Sequence, residues 1–157
     1  LHNPSKKSSE PHSLSLSFEL FNEIGIVAQL ARSKLTDQLP EGLMSSHFGV
    51  LNHLIRIGDG PTPMKLASAF QVPKTTMTHT LKGLVANQLV DIKPCSEDGR
   101  SKRVWITDAG HQLRQQTIAN MGPELAGLLN NIPDQQLQTM IKNLTTIRQQ
   151  LDANRGS

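Results

Sequence analysis

From Leu16 onward, apolar residues recur at steps of three and four: Leu16, Leu20, Ile24, Val27, Ala28, Ala31 and Leu35. That spacing is one face of an amphipathic helix, and Pro40 stops it. A second helix is expected from about Gly42 to Ile57, with Leu43, Phe48, Leu51, Leu54 and Ile55 inward and the turn Gly58-Asp59-Gly60-Pro61 after it. Thr62-Pro63 reads as an N-cap followed by proline at the first helical position. The short helix it opens turns Met64, Ala67 and Phe70 inward. Pro73 opens another, to about Asn87, with Met77, Leu81, Leu84 and Val85 on its inner face.

The period then changes from helical to alternating. Leu89 to Pro94 and Arg103 to Thr107 read as two strands, separated by the turn-rich residues Cys95 to Lys102. Thr107 caps a helix bearing Leu113, Ile118, Met121, Leu125, Leu128 and Leu129, which Gly122-Pro123 should kink or break. Pro133-Asp134 opens a last helix with Leu137, Met140, Ile141, Leu144, Ile147 and Leu151 on one side. The predicted fold is mainly α with a small β-hairpin. Its middle is a winged helix-turn-helix, and its N- and C-terminal helices carry apolar stripes that need partners. Residues 1–13 are polar and aperiodic and read as a mobile tail. Residues 14–157 read as a single domain, with a winged helix-turn-helix lobe at 42–110 and dimerisation helices at 14–40 and 111–152.

Composition narrows the class. Aromatic residues are 3% of the chain and tyrosine is absent, so the core must be aliphatic. No apolar run is expected to span a bilayer, and no leader-like apolar segment is evident, so a cytoplasmic protein without membrane partners is expected. A single cysteine forms no internal disulfide. The six histidines are scattered without metal-ligand spacing, so no metal or cofactor is expected.

Charge changes the picture more. Residues 65–103 hold seven basic groups against three acidic ones, a net of +4, while the remainder of the chain nets −1. Residues 60–90 contain no acid. A basic region on a near-neutral body marks a phosphate-binding face. The outer face of the helix at 73–87 carries Lys74, Thr75, Thr76, Thr78, His79 and Lys82. These are short or flexible polar groups, able to meet base edges in a major groove. The hairpin at 95–102 puts Arg100 at its tip, where a narrow minor groove concentrates negative potential. Lys102 and Arg103 would neutralise flanking phosphates, and Asp98 would hold the Arg100 guanidinium.

Residues 61–110 resemble the winged helix-turn-helix of the multiple antibiotic resistance regulator (MarR) family. The resemblance rests on Leu66-Ala67, the Thr-Met-Thr-His core at 76–79, Leu84, Leu89-Val90, Asp98-x-Arg100 and Ile106-Thr107-x-x-Gly110. Three positions depart from the family pattern. Gln88 stands where Gly usually ends the recognition helix, Pro73 where a Ser cap is common, and His79 where Arg is common. The resemblance implies a homodimeric transcriptional regulator, usually a repressor, on a pseudo-palindromic site in double-stranded DNA. It also implies release by a small aromatic or phenolic effector, for which Leu20, Ile24, His47, Phe48, Leu51 and Met121 are the candidate pocket.

Other classes find less in the chain. No nucleophile–base motif, Gly-rich phosphate loop or Cys/His metal spacing speaks for an enzyme, and no catalytic residue is expected. A winged-helix module that binds protein would need an apolar outer face on residues 73–87, where Lys, Thr and His stand. A redox sensor would use Cys95, which has basic neighbours in Lys93 and Arg103.

Overall fold

The computed structural model describes residues 14–58, 60–95 and 101–154. Asp98 and Arg100, and with them the tip of the wing, lie outside the described residues, as does the tail at 1–13. The element order is α1 (Leu14–Asp37), α2 (Ser45–Ile57), α3 (Pro63–Phe70), α4 (Lys74–Ala86), β1 (Val90–Pro94), β2 (Lys102–Ile106), α5 (Asp108–Leu129) and α6 (Asp134–Ala153). The chain divides into two compact units, one ending at Thr117 and the other beginning at Ile118.

The first unit holds the core. Leu51, Leu54, Leu66, Leu84, Val50, Val90 and Val104 are almost wholly buried, joined by Leu43, Ala67, Met77, Leu81 and Leu89. Aliphatic side chains from α2, α3, α4 and the hairpin thus meet in one cluster, each buried Leu, Val or Met contributing about 1.5–3 kcal/mol by leaving water. β1 and β2 pair antiparallel with Val90 opposite Ile106 and Pro94 opposite Lys102. The segment before α3 joins them: Gly60 N–H donates to the Val104 carbonyl, and Val104 N–H to that of Pro61.

Local chemistry sets the helix ends. Thr62 Oγ1 accepts the Lys65 N–H, so Pro63 can open α3 as its capping pattern predicts. α4 ends with Gln88 in the left-handed conformation at φ 58°, Gln88 N–H donating to Val85 and Leu89 N–H to Leu84. This is a Schellman closure on a residue other than glycine. Thr107 Oγ1 accepts the Gly110 N–H and donates to the Gln88 carbonyl at 2.7 Å, fastening the start of α5 to the end of α4. Gly110 is required there, because a Cβ would overlap the Leu89 carbonyl oxygen.

Four expectations are corrected. On α3 it is Leu66 that is buried, while Met64 is 67% exposed. On α4 Val85 is exposed and Thr80 buried instead, its hydroxyl donating to the Thr76 carbonyl. α5 runs through Pro123 without a break. A 22-residue helix has enough bonds on either side of the missing N–H to carry the interruption. Finally, α1 is long and apolar enough to cross a membrane by length and composition, with a mean hydropathy of 1.2.

Apolar faces stay uncovered in both units. No residue of α1 or α6 is buried. Phe18, Phe21, Val27 and Leu30 stand out from α1, and Met140, Ile141, Leu144 and Leu151 from α6.

Gly83, in the middle of α4, has a packing cause. The imidazole of His47 on α2 lies so close that a Cβ on Gly83 would sit 2.5 Å from Nε2 and 3.2 Å from Cδ2. The ring cannot easily yield, because its Nδ1 accepts the Met44 N–H at 2.9 Å and so caps α2. Gly83→Ala should therefore destabilise the protein by about 1–3 kcal/mol in urea unfolding, despite a helix-propensity gain of about 1 kcal/mol. Combined with His47→Ala, the same change should cost less than the two single substitutions added together.

Candidate nucleic-acid interface

α4 is amphipathic in the sense its sequence predicts. Met77, Leu81 and Leu84 fix one side in the core, which turns Lys74, Thr75, Thr78, His79 and Lys82 to solvent as one continuous surface. That surface runs into a groove of about 880 Å³ between α4 and the hairpin, lined by Lys74, Thr78, Lys82 and Lys102 with Leu81, Val85 and Ile92 beneath. The carboxylate in the groove is Asp91, whose Oδ2 lies 3.5 Å from Lys93 Nζ. The exposed face of α4 therefore carries cations and hydroxyls along its length.

Individual groups are poised differently. Thr78 donates its hydroxyl to the Lys74 carbonyl at 2.8 Å, which leaves the oxygen itself able to accept. Thr76 is exposed but lies outside this shared surface; its carbonyl receives Thr80. The N-terminus of α4 has no side-chain cap, since Pro73 offers none. Its first-turn N–H groups and the positive end of its dipole are open to an anion.

Lys102 and Arg103 part company. Neighbours in a strand point to opposite faces. Lys102 reaches the groove beside α4, whereas Arg103 turns to the other face with Trp105. There its Nη1 donates to the Gly60 carbonyl at 2.6 Å and its Nε to Cys95 Sγ at 3.3 Å. Sequence reasoning grouped these two cations; the alternation rule, applied residue by residue, separates them. It also missed Gly60 and Cys95 as the anchors of Arg103. Cys95 itself is buried.

The candidate effector pocket is distributed otherwise. His47 and Leu51 are core residues of the first unit, Phe48 and Ile24 are half-buried there, and Leu20 is exposed on α1. Met121 belongs to the second unit. His47 serves as a cap and packing partner. Among the described residues no group of three His, Cys, Asp or Glu could hold a metal.

A helix-turn-helix whose exposed helix is cationic and acid-free, followed by a two-stranded wing, defines a winged helix-turn-helix DNA-binding regulator rather than an enzyme. Residues 41–101 match the model described as MarR family. That segment holds α2, α3, α4 and β1 of the winged helix-turn-helix, and in it the chain is similar to the MarR family. Solved structures agree along most of the chain. Wild-type MarR from E. coli in its apo form is 26% identical, with a TM-score of 0.67, covering 82% of this chain and 95% of that one. A MarR transcriptional regulator from Methanosarcina mazei Go1 is 21% identical, with a TM-score of 0.73, covering 83% and 94%. A mutant MarR from E. coli complexed with operator DNA is 24% identical, with a TM-score of 0.67, covering 87% and 99%.

Electrostatics at the back of α4 yield a prediction. Burial, foremost, and the charge of nearby His79 hold the His47 imidazole below its ordinary value of 6.5. Burial and then Arg56 lower His53 likewise. A histidine whose folded pKa is depressed binds its proton more readily in the unfolded chain. Its contribution to stability is present above about pH 6.5 and is lost as pH falls through the folded value. The urea midpoint should accordingly drop between pH 7.5 and pH 5, and His47→Asn should flatten part of that drop.

Proposed function

We propose that this protein is a homodimeric repressor that binds a pseudo-palindromic operator in double-stranded DNA. α4 enters the major groove, where Lys74, Thr75, Thr76, Thr78, His79 and Lys82 meet bases and phosphates. The wing at 95–102 reaches the neighbouring minor groove through Arg100, with Asp98 steadying the guanidinium. Lys102 neutralises a phosphate between the two. Arg103 acts at one remove, bracing the base of the wing through Gly60 and Cys95.

The observation that carries this reading is the shared surface of Lys74, Thr75, Thr78, His79 and Lys82, continued by the groove to Lys102. A protein-binding winged helix would need an apolar face at that place. The related E. coli protein complexed with operator DNA supports the same assignment.

Two copies pair through α1 and the α5–α6 region. The support is the row of exposed Phe18, Phe21, Val27 and Leu30 on α1 and of Met140, Ile141 and Leu144 on α6, which one chain leaves in water. A second copy is favoured over a lipid bilayer as the cover for α1, because Glu19, Glu23, Arg32 and Lys34 interrupt it. A small aromatic or phenolic effector that favours the DNA-incompetent spacing of the two lobes would release the operator. That part rests on the family alone.

Binding to the duplex upstream of the protein's own coding sequence should weaken steeply with salt, by roughly 10³-fold or more between about 50 and 200 mM if six or more phosphates are engaged. Arg100→Ala should cost more than about 1 kcal/mol in the same assay. Affinity flat in salt, or untouched by the wing substitution, would remove the corresponding part of the interface. Light scattering should return twice the mass of one chain, and Val27→Asp with Leu30→Asp should return one; a wild-type monomer sinks the dimer.

A further inference from the structure

The buried ring of His47 stands between the start of α2 and the middle of α4, and the first of these contacts requires it to be neutral. Its Nδ1 accepts the Met44 N–H at 2.9 Å. The one proton of the neutral ring is therefore on Nε2, which lies over Gly83, where a Cβ would come within 2.5 Å of it. A second proton has only Nδ1 to go to, and there it meets the Met44 N–H. We propose that His47 is a positioning residue for DNA binding, which holds α4 from behind in its neutral form, so that protonating it frees α4 and loosens the grip on DNA. The proposal deepens the DNA-binding reading above and rests on it.

The route from this ring to the DNA-facing surface is one helical turn. Gly83 follows Lys82 and lies four residues beyond His79, so the point where the ring rests adjoins two groups of the exposed face of α4. Leu81 and Leu84, on either side of Gly83, are buried anchors of the same helix. A charged imidazole is not stable in that position, because an unpaired buried cation is costly and its acceptor is gone. Swung toward solvent, the ring leaves the start of α2 without its cap and a gap over Gly83, which has no side chain to fill it. α4 then loses the contact that fixes it against α2.

The surrounding charges do not rescue the charged ring. Of the elements packed on α2, α4 carries Lys74, His79 and Lys82, and β2 carries Lys102 and Arg103. α3, which meets α2 through Phe70 and His53, adds Lys65. α1 brings Glu19, Glu23, Arg32, Lys34 and Asp37, and Glu41 follows it. α5 touches α2 through Arg114, which donates to Asn52 Oδ1 at 2.9 Å. On α2 itself, His53 and Arg56 are joined at 3.0 Å. Among the described residues no carboxylate makes an ion pair with His47. The depressed proton affinity of this imidazole, caused first by burial, agrees with that setting.

Linkage fixes the sign of the effect. DNA held by the form with neutral His47 disfavours the proton there, so acid must weaken the complex. Net charge acts the other way, because added protons make the protein more positive and a polyanion is then held more tightly. A loss of affinity on acidification is thus the opposite of what charge alone gives.

The test compares wild type with His47→Asn, whose amide oxygen can accept the Met44 N–H and does not titrate. Fluorescence anisotropy of the full-length proteins, on the duplex upstream of the coding sequence, is read from pH 7.5 to pH 5 at constant ionic strength. Circular dichroism at each pH confirms a folded protein. Nitrogen-15 NMR of the histidine rings locates the pH at which His47 protonates. Wild-type affinity should fall through that pH, by up to about tenfold per recognition helix for each unit below it. His47→Asn should not show the fall. Wild-type affinity that is level or rises through that pH overturns the proposal and leaves the DNA-binding reading intact, and this arm needs no variant to fold. A fall that survives in His47→Asn overturns it too, placing the cause elsewhere. So does a His47 ring that carries its proton on Nδ1 at pH 7.5, or one still neutral at pH 5. Wild type that fails to bind this duplex at pH 7.5 overturns both readings together.

Discussion

The close approach of α2 to α4 through Gly83 is the constraint on which the remaining geometry depends. α4 has only thirteen residues and keeps one side in the core while the other stays in solvent. With so few aromatic residues, the core cannot be filled by a few large rings. It needs α2 near enough for Leu51 and Leu54 to reach Leu84 and the hairpin residues Val90 and Val104. A side chain at position 83 would hold the two helices apart. Glycine admits the His47 ring, and the ring in turn caps α2 with the nitrogen it turns away from α4. One contact thus sets the spacing of two helices, the start of one and the outward aim of the other.

The far end of α4 is treated with the same economy. Gln88 adopts a left-handed backbone that costs an L-residue about 1–2 kcal/mol. The conformation persists because the hydrogen bonds on its C-terminal side over-determine it. Leu89 N–H closes on Leu84, and Thr107 donates to the Gln88 carbonyl while receiving the Gly110 N–H. The Thr-x-x-Gly signature is thereby a hydrogen-bonded clamp holding the end of α4, the root of β1 and the first turn of α5 at one point.

Most element types were legible in the sequence because they rest on local rules. Apolar spacing gave the helices, and Thr62-Pro63 fixed the start of α3. Alternation and turn residues located the hairpin. The details that escaped are those set by tertiary neighbours. Leu66, rather than Met64, faces inward because the short α3 takes its rotation from the core it joins. Pro123 looked like a breaker because proline removes a bond, but how many bonds its neighbours retain is not written beside it. His47 had the composition of a pocket wall, an imidazole among apolar residues. Only the positions of Met44 and Gly83 show it to be a cap. The basic face of α4 was legible because it requires nothing more than helical periodicity and an absence of acids. The wing tip was named from sequence, and its residues lie outside those described.

Arg103 shows how such a reading errs and why the outcome matters for the wing. Three cations within four residues invite the idea of one positive cluster. A strand does not permit it, since successive side chains leave on opposite faces. Lys102 takes the face that continues toward α4, and Arg103 takes the face shared with Trp105 and Gly60. By donating to the Gly60 carbonyl, Arg103 ties β2 to the segment entering α3, across 43 positions of sequence. By reaching Cys95 Sγ it holds the point where β1 leaves the ladder for the wing. The base of the wing is in this way referenced to the same scaffold that orients α4. A cation bonded to Gly60 and Cys95 supplies position, while the one beside it opens onto the groove. If both had faced outward, the wing would have gained one more cation and lost its registration with the helix beside it.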